Sequence, residues 1–317
     1  MAPAMGSYEG QAKLDDIPIL DLSRCGEDNC LQTLREACQE LGCFRIVNHG
    51  ISPDLLLKAD QACREVFKLS TETKIKNVSP VPYAGYIGGI AGVPFYESLG
   101  IALSITRDAQ AIKDFTHLMW PQGNQNFCET IEEYTCEMME LLNKVHQVIL
   151  ESFGVSKYYA THFDHGKGIF RMNLYDLSSE LSTESNGLPA HTDGNSITIL
   201  HEDSCGGLQV CNREGNWIDV KPIPNSFVAM AGDTFQAWSN GRIRTLKHQV
   251  MVKRQQSRLS LGIFNLFPDE MEIKAPIEFV DDKHPQRYKA FKFGDMVKYR
   301  MVEGKAIQEP LQQFAGI

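Results

Sequence analysis

From Gly168 to Phe267 the chain is a series of short β-prone runs, at 169–175, 197–201, 208–211, 217–220, 227–231, 249–252 and 259–267. Turn signals separate them at Gly206-Gly207, 212–215, 222–226 and Asn240-Gly241. Several short strands at this spacing predict a sandwich or barrel, a mainly β fold. A length of 317 residues suits a single such unit, since all-β barrels often run this long.

The N-terminal part carries helical periods. A strand is expected at 17–22, after a loose start from Met1 to Lys13, and Leu31, Leu34, Cys38 and Leu41 then recur at helical spacing until Gly42 stops them. The run 43–47 alternates like a strand before the turn at Asn48-His49-Gly50. Ser52-Pro53-Asp54 starts a second helix, with Ser as cap, Pro in the first turn and an acid near the positive end. Residues 76–125 are interrupted by Pro82, Gly85, Gly88, Gly89, Gly92, Pro94, Gly100, Pro121 and Gly123, and are expected to form a loop-rich lid or pocket wall. A helix over 130–153 backs the sheet through Ile131, Tyr134, Met138, Leu141, Leu142, Val145, Ile149 and Phe153, and 284–301 is expected to cap the core as a helix. The organisation expected is an N-terminal region, 1–125, packed on a core, 126–317, as one compact unit.

The formal net charge of −9 disfavours nucleic acid and anionic membrane as partners, because both attract clustered Lys and Arg. The nine cysteines are odd in number and scattered without C-x-x-C zinc spacing, so they read as reduced thiols and core filler in a cytoplasmic chain. No secretory leader or apolar membrane span is evident. A small molecule is the expected partner, and the chain is expected to be a monomer.

Chemistry concentrates at His191-Thr192-Asp193, between the turn Gly187-Leu188-Pro189 and the run at 197. His and Asp two apart on extended backbone point to one side, so both can hold the same cation. A third ligand stands 55 positions after Asp193, at His248, where a strand opens. Two imidazoles and one carboxylate on one face of an octahedron form the facial triad of non-haem Fe(II) oxygenases, which leaves coordination sites open. Zinc is the alternative, but nothing beside these residues supplies a general base.

An isolated H-x-D turn in a β protein is commonly a surface hydrogen bond. Arg258 and Ser260 shift that balance. They stand ten and twelve positions beyond His248 and face one interior, where a guanidinium beside a hydroxyl makes a fork for a carboxylate. An interior Arg among Leu, Ile and Phe is costly without an anionic partner, and a dicarboxylate that chelates the iron at its other end would be one. His117, His146, His162, His165, His201 and His284 read as surface or second-layer groups, and His49 as a structural turn residue.

The pattern H-x-D, about 55 residues, H, ten residues, R-x-S closely resembles the plant 2-oxoglutarate-dependent dioxygenases. Ile17-Pro18-Ile19-Leu20-Asp21, the segment from Gly42 to Gly50, Gly232-Asp233, Ser239-Asn240-Gly241 and Phe264 also match. Asn173-Leu174-Tyr175 occupies the place of the family's N-x-Y, whose tyrosine helps bind 2-oxoglutarate. The chain departs from the family at Asp176-Leu177, at Gln249 and at the position of Pro268. Within the family the nearest likeness is to the dioxygenases for auxin oxidation and their relatives in specialised metabolism.

The resemblance implies a double-stranded β-helix, or jelly-roll, with flanking helices. It implies Fe(II), 2-oxoglutarate and O2, with ascorbate as reductant, and oxidation of a small plant metabolite with release of succinate and CO2. Hydroxylation is the expected outcome. Auxin oxidation, O- or N-demethylation or desaturation, peptide hydroxylation and an inactive jelly-roll binder stand as alternatives. Gly194, Asn195, Ser196, Phe264, Phe95 and Tyr96 are expected to line the substrate pocket. The small polar stretch at Ser196 would favour a larger, nitrogen- or oxygen-bearing compound over indole-3-acetic acid.

Overall fold

The computed structural model describes residues 17–89, 93, 95–103, 109–164, 167–176, 184–253, 257–302 and 309–317. The loose start, Gly92, Pro94, His165 and Leu177 lie outside them. The strands are β1 (Ile19–Asp21), β2 (Cys43–Val47), β3 (Tyr96–Leu103), β4 (Lys167–Asp176), β5 (Glu184–His191), β6 (Ile197–Glu202) and β7 (Leu208–Cys211). They continue with β8 (Trp217–Asp219), β9 (Phe227–Ala231), β10 (His248–Lys253), β11 (Ser257–Leu266), β12 (Glu272–Ile273) and β13 (Phe291–Lys292). The helices are α1 (Asp28–Glu40), α2 (Pro53–Phe67), α3 (Thr71–Lys74), α4 (Gln110–Met119), α5 (Gln125–Ser152), α6 (Asp233–Trp238), α7 (Phe293–Val302) and α8 (Pro310–Ala315).

Two sheets face each other as a double-stranded β-helix. The larger runs β1-β2-β9-β6-β11-β4-β3 and the smaller β5-β10-β7-β8. Alternation along the strands sorts the side chains. On β4 and β11, Phe170, Met172, Leu259, Leu261 and Ile263 face outward into the main apolar core. Ile131, Tyr134, Met138, Leu141, Leu142, Val145 and Ile149 of α5 lie buried in the same core. The partners of opposite parity, Ile169, Arg171, Asn173, Tyr175, Arg258 and Ser260, face a cavity between the sheets. The larger sheet therefore separates a greasy helix layer from a chamber that tolerates polar groups.

The helix starts and stops follow local chemistry. Ser52 caps α2 by accepting from Asp54 N, with Pro53 in the first turn. Gly42 ends α1 at φ 75, and a Cβ there would sit 2.0 Å from Arg244 O, so both the conformation and the docking of the next turn require glycine.

The stretch 76–125, expected to be loop, instead contains β3 and α4. Gly100 is no strand breaker but a contact, since a Cβ there would come within 2.9 Å of Ala84 Cα and Tyr83 O, where the preceding loop lies across the strand. The N-terminal segments also enter the larger sheet directly, β1 and β2 at one end and β3 at the other. A strand at β5 and a short helix at α6 went unread. The C-terminal helix begins at Phe293 rather than at 284, because Pro285 and the β12–β13 pairing hold the preceding stretch extended. Among the described residues no helix is long and apolar enough to cross a membrane.

Candidate metal centre

The cavity between the sheets measures about 890 Å³. At its centre, the antiparallel pairing of β5 with β10 sets His191 opposite His248, with ring centroids 4.2 Å apart. Asp193 follows two residues beyond the end of β5, with Oδ1 3.7 Å from His191 Nε2 and 3.9 Å from His248 Nε2. One ligand atom from each of the three lies within 4.8 Å of the others, the spacing of donors around one cation.

The surroundings orient these donors. His191 Nδ1 lies 2.8 Å from Pro189 O and His248 Nδ1 3.2 Å from Leu246 O. A carbonyl can only accept, so each Nδ1 carries the hydrogen and each Nε2 presents a lone pair to the centre. Thr198 Oγ1 donates to Asp193 Oδ2 at 2.5 Å and itself accepts from Asn195 Nδ2 at 2.9 Å. Desolvation, reinforced by the neighbouring His248, lowers His191 to about 4 and keeps it neutral. Burial works against the charge on Asp193, but the two histidines and the Thr198 hydroxyl outweigh it and hold its carboxyl below the usual range. Two imidazoles that turn Nε2 to the centre, with one carboxylate, are a fitting donor set for a divalent metal that keeps open positions.

Deeper in the chamber, Arg258 is 2% exposed and fixed by Nε to Gly206 O at 2.7 Å, Nη1 to Ser260 Oγ at 3.2 Å and Nη2 to Glu202 Oε2 at 3.0 Å. Its guanidinium carbon stands 5.1 Å from the centre of the Tyr175 ring. Tyr175 packs at 5.0 Å on Tyr96, whose hydroxyl donates to Asn173 Oδ1 at 3.0 Å. Asn173, Tyr175, Tyr96, Arg258 and Ser260 all face the same chamber as the His-Asp-His group.

Gly194, Asn195, Tyr96 and Phe264 also line the chamber; Ser196 and Phe95 do not. Ser196 is fully buried on the helix side, 3.1 Å from His146 Nε2 and donating to Asn265 Oδ1 at 2.7 Å. The turn ahead of β6 breaks the two-residue alternation, so the side chain faces the opposite way from its expected direction. Phe95 packs behind Tyr96 and Tyr175 in a small apolar cluster.

Several side chains of the chamber were not singled out from sequence. Arg171 is buried and donates to Tyr83 O and Ser98 Oγ. Among the described residues no carboxylate lies within ion-pair distance of it. Its parity with Asn173 and Tyr175 on one strand was the available signal. Arg300 of α7 reaches back over Gly194 to bind Asp233 Oδ2 and Thr192 O, both at 2.5 Å. Asp233 in turn accepts from Thr192 Oγ1 at 3.1 Å, and its backbone N–H donates to Asp193 O at 2.8 Å. Burial pushes the Asp233 carboxyl up against the pull of Arg300. No local pattern reveals a contact made across 67 or 108 residues.

Residues 151–266 match the model of the 2OG-Fe(II) oxygenase superfamily, and residues 17–98 match that of the non-haem dioxygenase in morphine synthesis N-terminal. The chain is 34% identical over 315 residues to the 2-oxoglutarate-dependent dioxygenase DAO of Oryza sativa, covering 95% of this chain and 99% of that one. The crystal structure of the rice dioxygenase for auxin oxidation superposes with a TM-score of 0.83 at 33% identity, over 95% of this chain and all of that one. That of JOX2 in complex with 2OG, Fe and JA gives 0.81 at 26% identity, over 95% of this chain and 90% of that one.

Proposed function

The chain belongs to the 2-oxoglutarate-dependent, Fe(II) dioxygenases, and on that premise we propose that His191, Asp193 and His248 hold its iron and that Arg258 and Ser260 hold the far carboxylate of 2-oxoglutarate. It is an enzyme of that class, acting on a small molecule. The observation that carries the assignment is the shared chamber: three donors within 4.8 Å of one another and, on the same wall system, a buried guanidinium beside a hydroxyl. Bound iron would supply the activation of O2 that couples decarboxylation of the co-substrate to oxidation of the substrate. The residues contribute position. Pro189 O and Leu246 O keep both imidazoles in the donor tautomer, Thr198 aims the carboxylate, and Tyr175 with Leu200 and Val250 walls the co-substrate from water. Asn173 orients this wall through Tyr96. Ascorbate is the reductant we propose for keeping the iron ferrous.

The substrate is an organic acid that becomes hydroxylated. Arg171 supports this, since a buried guanidinium facing a chamber with only neutral partners lacks a counter-charge that a substrate carboxylate would provide. Relatives named for auxin oxidation are consistent with it. With Ser196 turned into the core, the polar wall that argued against indole-3-acetic acid is reduced to Asn195, and that compound becomes the first to test. The experiment incubates the protein with Fe(II), ascorbate, 2-oxoglutarate and paired compounds, each acid beside its methyl ester, and follows succinate and product mass. An acid should gain one oxygen while its ester reacts at least tenfold more slowly, and Arg171→Gln should erase that preference. Equal turnover of acid and ester would refute the substrate class. Replacement of His191, Asp193 or His248 by Ala should abolish succinate formation with little change in melting temperature, because an open site adds less stability than the core. Turnover retained in any two would refute the ligand set.

A further inference from the structure

Arg258 has an acid behind it. β6 and β11 pair with Glu202 across from Ser260, and Glu202 Oε2 accepts from Arg258 Nη2 at 3.0 Å, with the side chains 4% and 2% exposed. The other carboxylate oxygen, Oε1, is buried without a hydrogen-bond partner. Arg258 and Ser260 line the chamber, whereas Glu202 does not. The guanidinium therefore stands between a carboxylate fixed in the wall and the place where, on the reading above, the far carboxylate of 2-oxoglutarate binds. The co-substrate would then bring a second anion to a guanidinium that already has one, in a dry site.

Other charged or titratable groups surround Glu202, and of these the Arg45 guanidinium favours its charged form. Cys43 of β2 is buried, and desolvation pushes its thiol up, so it stays neutral. Arg45 of β2 donates through its terminal nitrogens to Ser226 Oγ at 2.8 Å and Lys221 O at 2.5 Å. Asp203, next in the chain, is bound to Arg64 of α2 at 2.6 Å. Burial holds the Glu202 carboxyl above its ordinary range even with Arg258 and Arg45 pulling it down. A second anion at Arg258 adds a like charge, which favours the neutral acid still further.

We propose that Glu202 takes up a proton from solvent when 2-oxoglutarate binds, and that it thereby sets the pH dependence of co-substrate affinity. Oε2 keeps its bond from Arg258, and the proton goes to Oε1, the oxygen whose isolation is costly as a charge and cheaper as a hydroxyl. Glu202 is a positioning residue, since it would touch Arg258 and never the co-substrate. The sign follows from linkage: a complex that binds one more proton than its parts loses affinity as pH rises, by up to tenfold in Kd per pH unit.

The test is calorimetry of 2-oxoglutarate binding to the iron-loaded protein without oxygen, in buffers of different ionisation enthalpy between pH 6 and 8.5. Expected is an uptake approaching one proton in the wild type, and a Kd that rises with pH. Glu202→Gln keeps an oxygen for Arg258 but cannot titrate, so the uptake and the pH dependence should both vanish while 2-oxoglutarate still binds. A wild type that binds without proton uptake would overturn the proposal, and this arm needs no variant to fold. So would uptake unchanged in Glu202→Gln. Arg258→Ala separates the two levels: if it binds 2-oxoglutarate as tightly as wild type, the anchor assignment falls and this proposal with it. If it loses binding while the wild type shows no uptake, only the role of Glu202 falls.

Discussion

Thr198 is one hydroxyl, yet it fixes which way Asp193 faces: it donates to Oδ2 at 2.5 Å and leaves Oδ1 as the oxygen nearest both imidazoles. Groups that orient a ligand in this way typically contribute 10- to 100-fold in metal affinity, on the order of 1–3 kcal/mol. Thr198→Val keeps the shape and the β-branch, so it should weaken Fe(II) binding roughly 10-fold or more at unchanged melting temperature. A metal titration that gives the wild-type affinity would show that the Thr198 hydroxyl does not orient Asp193 for the metal. At this scale the sequence displayed the three residues that the structure brings together, but not their supports. His191, Asp193 and His248 were legible because their types and strand parity carry the chemistry. Thr198 and Asp233 are ordinary residues whose roles arise only when the turn before β6 and the start of α6 meet. Ser196 was expected at the pocket from the resemblance, and the turn before β6 directs it into the core instead.

Elements were legible where one period ran without interruption. The strands β4, β6, β7, β9 and β11 and the helix α5 fall where alternation or helical spacing placed them, within a few residues. β3 was missed because Gly100 read as a break, while its absent side chain makes room for the loop at Tyr83 and Ala84. A similar contact governs the junction after α1. Gly42 combines φ 75 with a neighbour, Arg244 O, 2.0 Å from any added Cβ, and that neighbour is backbone, which cannot rotate away. Gly42→Ala should therefore cost about 2–4 kcal/mol, from backbone strain plus displacement of the turn. Urea unfolding would measure it. A loss under about 1 kcal/mol would mean that the turn at Arg244 shifts freely.

Across the whole molecule, the long helix α5 is tied to the larger sheet by a histidine that must stay uncharged. His146 is fully buried, with Nδ1 3.1 Å from Leu142 O, Nε2 3.1 Å from Ser196 Oγ, and the Phe163 ring 4.9 Å away. Burial lowers its pKa from 6.5 to about 3, and the contact with the Leu142 carbonyl only partly offsets this. The depressed value fixes the sign. Between pH 6.5 and about 3 the unfolded chain binds a proton that the folded chain refuses, so stability rises with pH across that window. The contribution is fully present above pH 6.5 and is lost as the pH falls through the window. By pH 5 the loss from this residue alone is about 2 kcal/mol, at about 1.4 kcal/mol per pH unit below the unfolded value. Other histidines whose pKa burial depresses, His201 among them, act in the same direction, so acid should destabilise the wild type by more than this. His146→Gln retains hydrogen-bonding capacity toward Ser196 but cannot titrate. Its stability at pH 8 should fall modestly through imperfect packing, while its further loss between pH 8 and pH 5 should be about 2 kcal/mol smaller than that of the wild type. Urea denaturation of both proteins at the two pH values measures this difference of differences, in which the packing defect cancels. If the two proteins lost equal stability on acidification, His146 would have to accept a proton in the folded state, and its burial between α5 and the sheet would not be the source of acid sensitivity.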